Sequence, residues 1–167
     1  MVEFSKNCRH HWRAVICAGV AAGILATLVQ VLLWLLFTDE FPAIMFRDAR
    51  LTAALLLGSR VLPPPATFDM SSMVAATFIH FARSILYAAM LAPIAARLWS
   101  VAAWVAGAGF GVALYAVNLY GLTEIFPWFV AARGWIAAVA HVAFGATAVL
   151  AYRFLQFRNA RSRLGGH

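Results

Sequence analysis

His80, Arg83, Ser84 and Tyr87 fall at i, i+3, i+4 and i+7, the spacing that stacks side chains on one face of a helix. Together they offer an imidazole that can give or take a proton, a fixed cation and two hydroxyls. His141 recurs later, on a stripe with Ala137, Gly145, Ala148 and Tyr152. Two histidines at similar depth on helices of one bundle form the constellation that ligates a b-type haem, so His80 and His141 are haem-ligand candidates. The same rings serve as well in hydrogen bonds to a neighbouring helix, with no cofactor at all. Gln30 shares a face with Gly19, Gly23 and Ala26, and Asn118 shares one with Gly107 and Gly111. These two amides fit interhelical hydrogen bonding better than ligand binding.

Other chemistry finds little support. No G-x-S-x-G, H-E-x-x-H, C-x-x-C or phosphate loop occurs, so the sequence points away from an enzyme. Cys8 with His10 and His11 lacks metal-ligand spacing and fits a basic membrane surface instead. Neither Cys8 nor Cys17 falls on an oxidising side, and no structural disulfide is expected.

The elements that carry these residues are set by composition. Of 167 residues, 64% are hydrophobic and 11% charged, with mean hydropathy +0.84, values that exclude a soluble globular domain and a disordered tail. Four apolar stretches are long enough to cross a bilayer as helices: about 14–37, 72–96, 99–121 and 129–154. They lack the alternation of barrel strands. The first follows Lys6, Arg9 and Arg13 but is too long for a cleaved signal sequence, so it is expected to stay as an anchor.

With both termini cytoplasmic, the inner segments hold Lys6, Arg9, Arg13, Arg97, Arg153, Arg158, Arg161 and Arg163 against Glu3 alone. The outer loops balance Arg47, Arg50, Arg60 and Arg133 against Asp39, Glu40, Asp48, Asp69 and Glu124. The formal net charge of +7 is therefore an orientation signal of the positive-inside kind, and nucleic acid is not needed to explain it. Arg83 is left within the second span. A buried guanidinium needs a counter-ion, and Asp39 or Glu124 at the outer mouth, near Arg133, is the candidate.

Thr38-Asp39-Glu40-Phe41-Pro42 and Thr123-Glu124-Ile125-Phe126-Pro127 begin two outer loops alike, and at the same offset Ala22/Ala26 coincide with Gly107/Gly111. The chain thus reads as a duplicated unit of span, loop and span, its halves about 14–96 and 99–154, related by an axis along the membrane normal. In the longer first loop, Pro42 suits a helix start and Gly58 a stop, which predicts a short helix at the outer interface or dipping into it. Leu62-Pro63-Pro64-Pro65 then favours an extended connector.

The fragments Leu62-Pro-Pro-Pro-Ala-Thr-Phe-Asp69, His80-Phe81, Ser84-Ile85-x-Tyr87, Phe126-Pro127-Trp128-Phe129 and His141-x-x-Phe144-Gly145 resemble a family of small, uncharacterised proteobacterial inner-membrane proteins. Some of these carry the label sodium:proline symporter, a class several times longer and built on discontinuous helices. The resemblance spans about Gly19 to Arg153 and implies four spans in a bacterial inner membrane. Arg83 departs from it, since the pattern implies an apolar residue there.

The expectation is an all-α membrane protein: a single domain of four transmembrane helices with a short outer interfacial helix. Gln30, His80, Arg83, Asn118 and His141 form an outward-facing polar layer, with Asp39, Glu124 and Arg133 at its mouth. The expected role is accessory, scaffolding or small-molecule binding without a cofactor or metal. The alternatives are a haem b carrier and a small transporter or channel acting as an oligomer. The expected partners are the lipid bilayer and either a second copy or a larger membrane complex.

Overall fold

The computed structural model describes residues 2–62, 67–98 and 100–164, with side chains described over 11–62, 67–98 and 101–158. The chain is an all-α four-helix bundle, with no strand among the described residues. α1 (Val2–Phe37), α3 (Met70–Arg97), α4 (Ser100–Ala116) and α5 (Trp135–Leu164) are the long helices, and α2 (Ala43–Leu57) is a short fifth one. Four segments are long and apolar enough to cross a membrane: His11–Phe37, Met70–Arg97, Val101–Glu124 and Trp135–Arg158. The protein is a multi-pass integral membrane protein.

Packing follows side-chain size. The core is built mostly from alanine, including Ala18, Ala22, Ala88, Ala92, Ala103 and Ala148, with Phe144 and Tyr152 as its largest members. Large side chains point outward instead: Leu28, Phe78, Leu86 and Val105 are all more than half exposed. In lipid the hydrophobic effect does not draw leucines inward, so small residues that let backbones approach hold helices together. α1 lies against α3 and α5, α4 lies against α5, and α2 lies along α3.

α2 starts after Pro42 and ends at Gly58, whose φ of 77° is open to glycine and strained for other residues. Its Leu51, Ala53 and Ala54 are buried, so it packs as part of the protein. The extended connector expected after it falls on residues 63–66, outside the described residues. α3 then opens on Asp69, whose Oδ2 accepts from the Ser72 N–H and the Ser71 hydroxyl, both at 2.7 Å. Those bonds hold the Asp69 carboxyl down at about 2, so the cap persists until the pH falls through that value.

The fourth long segment starts later than composition implies. Residues 127–132 form a separate 3-10 turn after Phe126, and α5 begins only at Trp135. Pro127 opens that turn, and Trp128 Nε1 ties it to α2 by donating to the Leu51 carbonyl at 3.0 Å. The third segment changes character near its end. After α4 the backbone widens into a π-helical turn at Val117–Gly121 and tightens again at Leu122–Glu124.

Candidate functional site

The polar side chains inside the bundle differ in how they are bonded. They comprise two hydrogen-bonded groups, with Arg83 and the Gln30 amide outside both. In the first group, His80 Nε2 lies 3.2 Å from the Gly23 carbonyl and 3.3 Å from Thr27 Oγ1, while the Thr27 hydroxyl donates to the Gly23 carbonyl at 3.0 Å. A carbonyl only accepts, so the His80 proton sits on Nε2. Gly23 makes this possible, because a Cβ there would stand 2.8 Å from Ser84 Oγ and 3.1 Å from His80 Nε2.

The second group joins three helical segments. The Tyr87 hydroxyl of α3 donates to Asn118 Oδ1 at 2.8 Å. The Asn118 amide nitrogen lies 3.4 Å from His141 Nε2, and His141 Nδ1 lies 2.7 Å from the Ala137 carbonyl. The last bond fixes the proton on Nδ1, which leaves Nε2 to accept from the amide. Each link in the chain from tyrosine to amide to imidazole to carbonyl therefore pairs a donor with an acceptor. Asn118 belongs to the π-helical turn and is buried with Leu119.

The two imidazoles carry their protons on opposite nitrogens. A haem ligated through Nε2 of both would require His80 to give up Gly23 and reverse its tautomer, and His141 to give up Asn118. Close backbone contact surrounds them. A Cβ on Gly111 would meet the His141 carbonyl, and one on Gly145 would meet the Gly107 carbonyl.

Arg83 is half-buried, and its guanidinium lies 5.6 Å from the centre of the Tyr87 ring. Neither Asp39 nor Glu124 pairs with it. Both are exposed, and the one ion pair among the described residues joins Arg47 to Asp48 at 2.8 Å. The expected counter-ion is thus corrected: Arg83 stays beside Tyr87, one turn deeper than His80, while the two acids remain at the surface.

Arg133 acts on backbone. Its Nε donates to the Leu119 carbonyl at 2.7 Å, its Nη2 donates to Thr123 Oγ1 at 2.9 Å, and the guanidinium stacks 4.2 Å over Tyr120. It compensates a carbonyl of the π-helical turn and so braces the segment that presents Asn118. Arg133→Gln is expected to lower stability by about 1 kcal/mol, a charged hydrogen bond discounted for exposure. Thermal unfolding of the detergent-solubilised chain checks this.

Gln30 stands apart from both groups. Its amide has no hydrogen-bond partner among the described residues, and it lines a cavity with Trp34, Arg47 and Asp48 instead. Sequence spacing missed Thr27, Tyr115 and this cavity. Thr27 was visible as the residue one turn after Gly23. Tyr115, whose ring lies 5.7 Å from that of His141, was visible as the residue one turn after Gly111. No group of His, Cys, Asp or Glu among the described residues is arranged to hold a metal ion, and Cys17 is an exposed free thiol.

No family model matches the chain, and no curated protein and no solved structure matches it.

Proposed function

We propose that the protein is a non-enzymatic accessory subunit of a bacterial inner-membrane assembly, with both termini cytoplasmic, that joins a partner span through Arg83. The uncompensated charge of Arg83 carries this reading. Arg83 is thirteen residues into the 28-residue α3, about 20 Å along its axis at 1.5 Å per residue. In a hydrocarbon core about 30 Å thick, that places it out of snorkelling reach of either surface. An arginine at the centre of a span costs about 2.5–3.5 kcal/mol, and stacking on Tyr87 offsets about 0.5–2 kcal/mol of that. An acidic side chain on a neighbouring span closes the difference. This chain's own acids are Glu3, Asp39, Glu40, Asp48, Asp69 and Glu124, all away from the middle of a span, so a second copy does not supply it. The partner is a different chain with an Asp or Glu inside its span.

Orientation rests on the excess of Lys and Arg on the segments assigned to the cytoplasm. The interior supports a scaffold, because His80, Tyr87, Asn118 and His141 are engaged in holding helices together. Packing also supports an internal duplication. Gly19 and Gly23 receive Ser84 and His80 of α3, and Gly107 and Gly111 receive Gly145 and His141 of α5, at the same intervals in both halves. This match pairs Gly19/Gly23 with Gly107/Gly111, where the loop motifs had paired Ala22/Ala26. The stretch from Asn118 to Thr123 is shorter than the one from Gln30 to Thr38, which accounts for the shift.

The test is Arg83→Leu beside Arg83→Lys, each read by native assembly mass and by thermal stability in detergent. Arg83→Lys is expected to keep the wild-type mass. Arg83→Leu is expected to run as the free chain while gaining about 1–3 kcal/mol of stability. A loss of stability with unchanged mass would show that Arg83 is compensated within this chain and would overturn the reading.

A further inference from the structure

At the end of the bundle that carries α2, a cavity of about 140 Å³ lies between α1, α2 and the start of α5. It is open on one side, and its volume is comparable to the ~150 Å³ that a benzene-sized ring occupies in a closed interior cavity. Trp34, Ile44 and Ile136 give it apolar walls, and Gln30, Arg47 and Asp48 give it polar groups. Arg47 directs Nε and Nη2 at a single oxygen, Asp48 Oδ1, at 3.0 and 2.8 Å. Its Nη1, the other Asp48 oxygen and the Gln30 amide have no hydrogen bond among the described residues. The side chains of Arg47 and Asp48 are 28% and 19% exposed, so the pair is reachable from outside. Trp135, Ile136 and Ala137 also line it; they open α5 at its positive end, and their N–H groups have no acceptor among the described residues.

We propose that this cavity binds a small organic carboxylate with a ring-sized apolar body. The carboxylate meets Arg47 and Gln30, and the body rests between Trp34, Ile44 and Ile136. The site is independent of the docking assigned to Arg83.

Asp48 competes with such a ligand, because its carboxylate already occupies the guanidinium. Burial holds the Asp48 carboxyl above the usual carboxylate range, in spite of Arg47 beside it. The other charged group at the cavity is Arg133 on the α5 side, which is committed to Leu119 and Thr123. α1 contributes only the uncharged Gln30 and Trp34, and on the α3 side Asp69 interacts with Arg50. Protonation of Asp48 therefore releases Arg47 and removes the one negative charge. Ligand binding strengthens as pH falls through the raised value and weakens as it rises.

The experiment titrates sodium benzoate against the full chain in nanodiscs, following tryptophan fluorescence, with benzylamine and inorganic phosphate as comparisons. A saturable benzoate signal is expected, tighter at acid than at neutral pH, and weakened about tenfold in Arg47→Gln. Asp48→Asn is expected to bind benzoate at the higher pH as wild type does at the lower one, a gain that misfolding does not imitate. The proposal is overturned by an absence of saturable binding, by equal binding of benzylamine, or by tighter binding of phosphate. An unchanged affinity in Arg47→Gln overturns it as well.

Discussion

Gly111→Leu is expected to separate α4 from α5 and to destabilise the bundle by more than about 3 kcal/mol. Inserting methylenes into a packed interface usually costs about 1–3 kcal/mol, because neighbouring side chains shift to absorb them. Here the added Cβ would run into the His141 carbonyl and would stand 2.7 Å from the Val142 Cα. Both are backbone, and a helix backbone cannot rotate aside. The same helix supplies the control. A Cβ on Gly109 would meet nothing within 4 Å, so Gly109→Leu is expected to leave stability unchanged. Thermal aggregation of the two variants in detergent decides the matter. Equal losses in both would mean that helix propensity or lipid contact, rather than the α4–α5 interface, governs the effect.

Asn118→Ala is expected to cost roughly 2 kcal/mol. It leaves the Tyr87 hydroxyl and His141 Nε2 without their partner at one stroke. Each orphaned buried group costs about 1–3 kcal/mol in water-soluble proteins. Interhelical pairs in membranes average about 0.6 kcal/mol, with a ceiling near 1.7, which sets the lower figure. Tyr87→Phe removes one bond and leaves the other, so its loss is expected to be smaller. A double-mutant cycle on Tyr87 and Asn118 then gives a coupling well above zero. Strict additivity would mean that the tyrosine and the amide do not bond in the folded chain.

Much of the architecture was legible because lipid imposes a simple rule: the backbone must be satisfied within each span, and length follows. Pro42 and Gly58 marked α2 for the same kind of reason, since each restricts what the backbone around it can do. Glycine stripes announced the contact faces of α1 and α4. Partner choice was harder to read. The stripe of His80, Arg83 and Tyr87 is real, yet Tyr87 reaches Asn118 while His80 turns to Gly23. A helical wheel gives direction from one axis and says nothing about which neighbour stands there. Gln30 and Asn118 hold corresponding places on their own helices and meet different surroundings, because α2 packs near one end only. The start of α5 was misplaced because Phe129 and Val130 are apolar, and hydropathy does not register that Arg133 and Gly134 break the helix.

The clasp at the opposite end of the bundle bears on the order of assembly. Arg153 of α5 donates to the Ala95 carbonyl in the last turn of α3 at 3.0 Å and to the carbonyl of Leu98 just after it. Arg153 is thus to α3 what Arg133 is to the segment before it. α5 is the last of the four long helices to leave the ribosome, and it touches α1, α3 and α4 alike. Until it arrives, the earlier spans have inserted but their small-residue faces and helix ends lack their final neighbour. α1 and α3 can pair before that, but the faces that α1, α3 and α4 turn to α5 are covered only then. The bundle locks only when this last long helix brings its contacts to the other three.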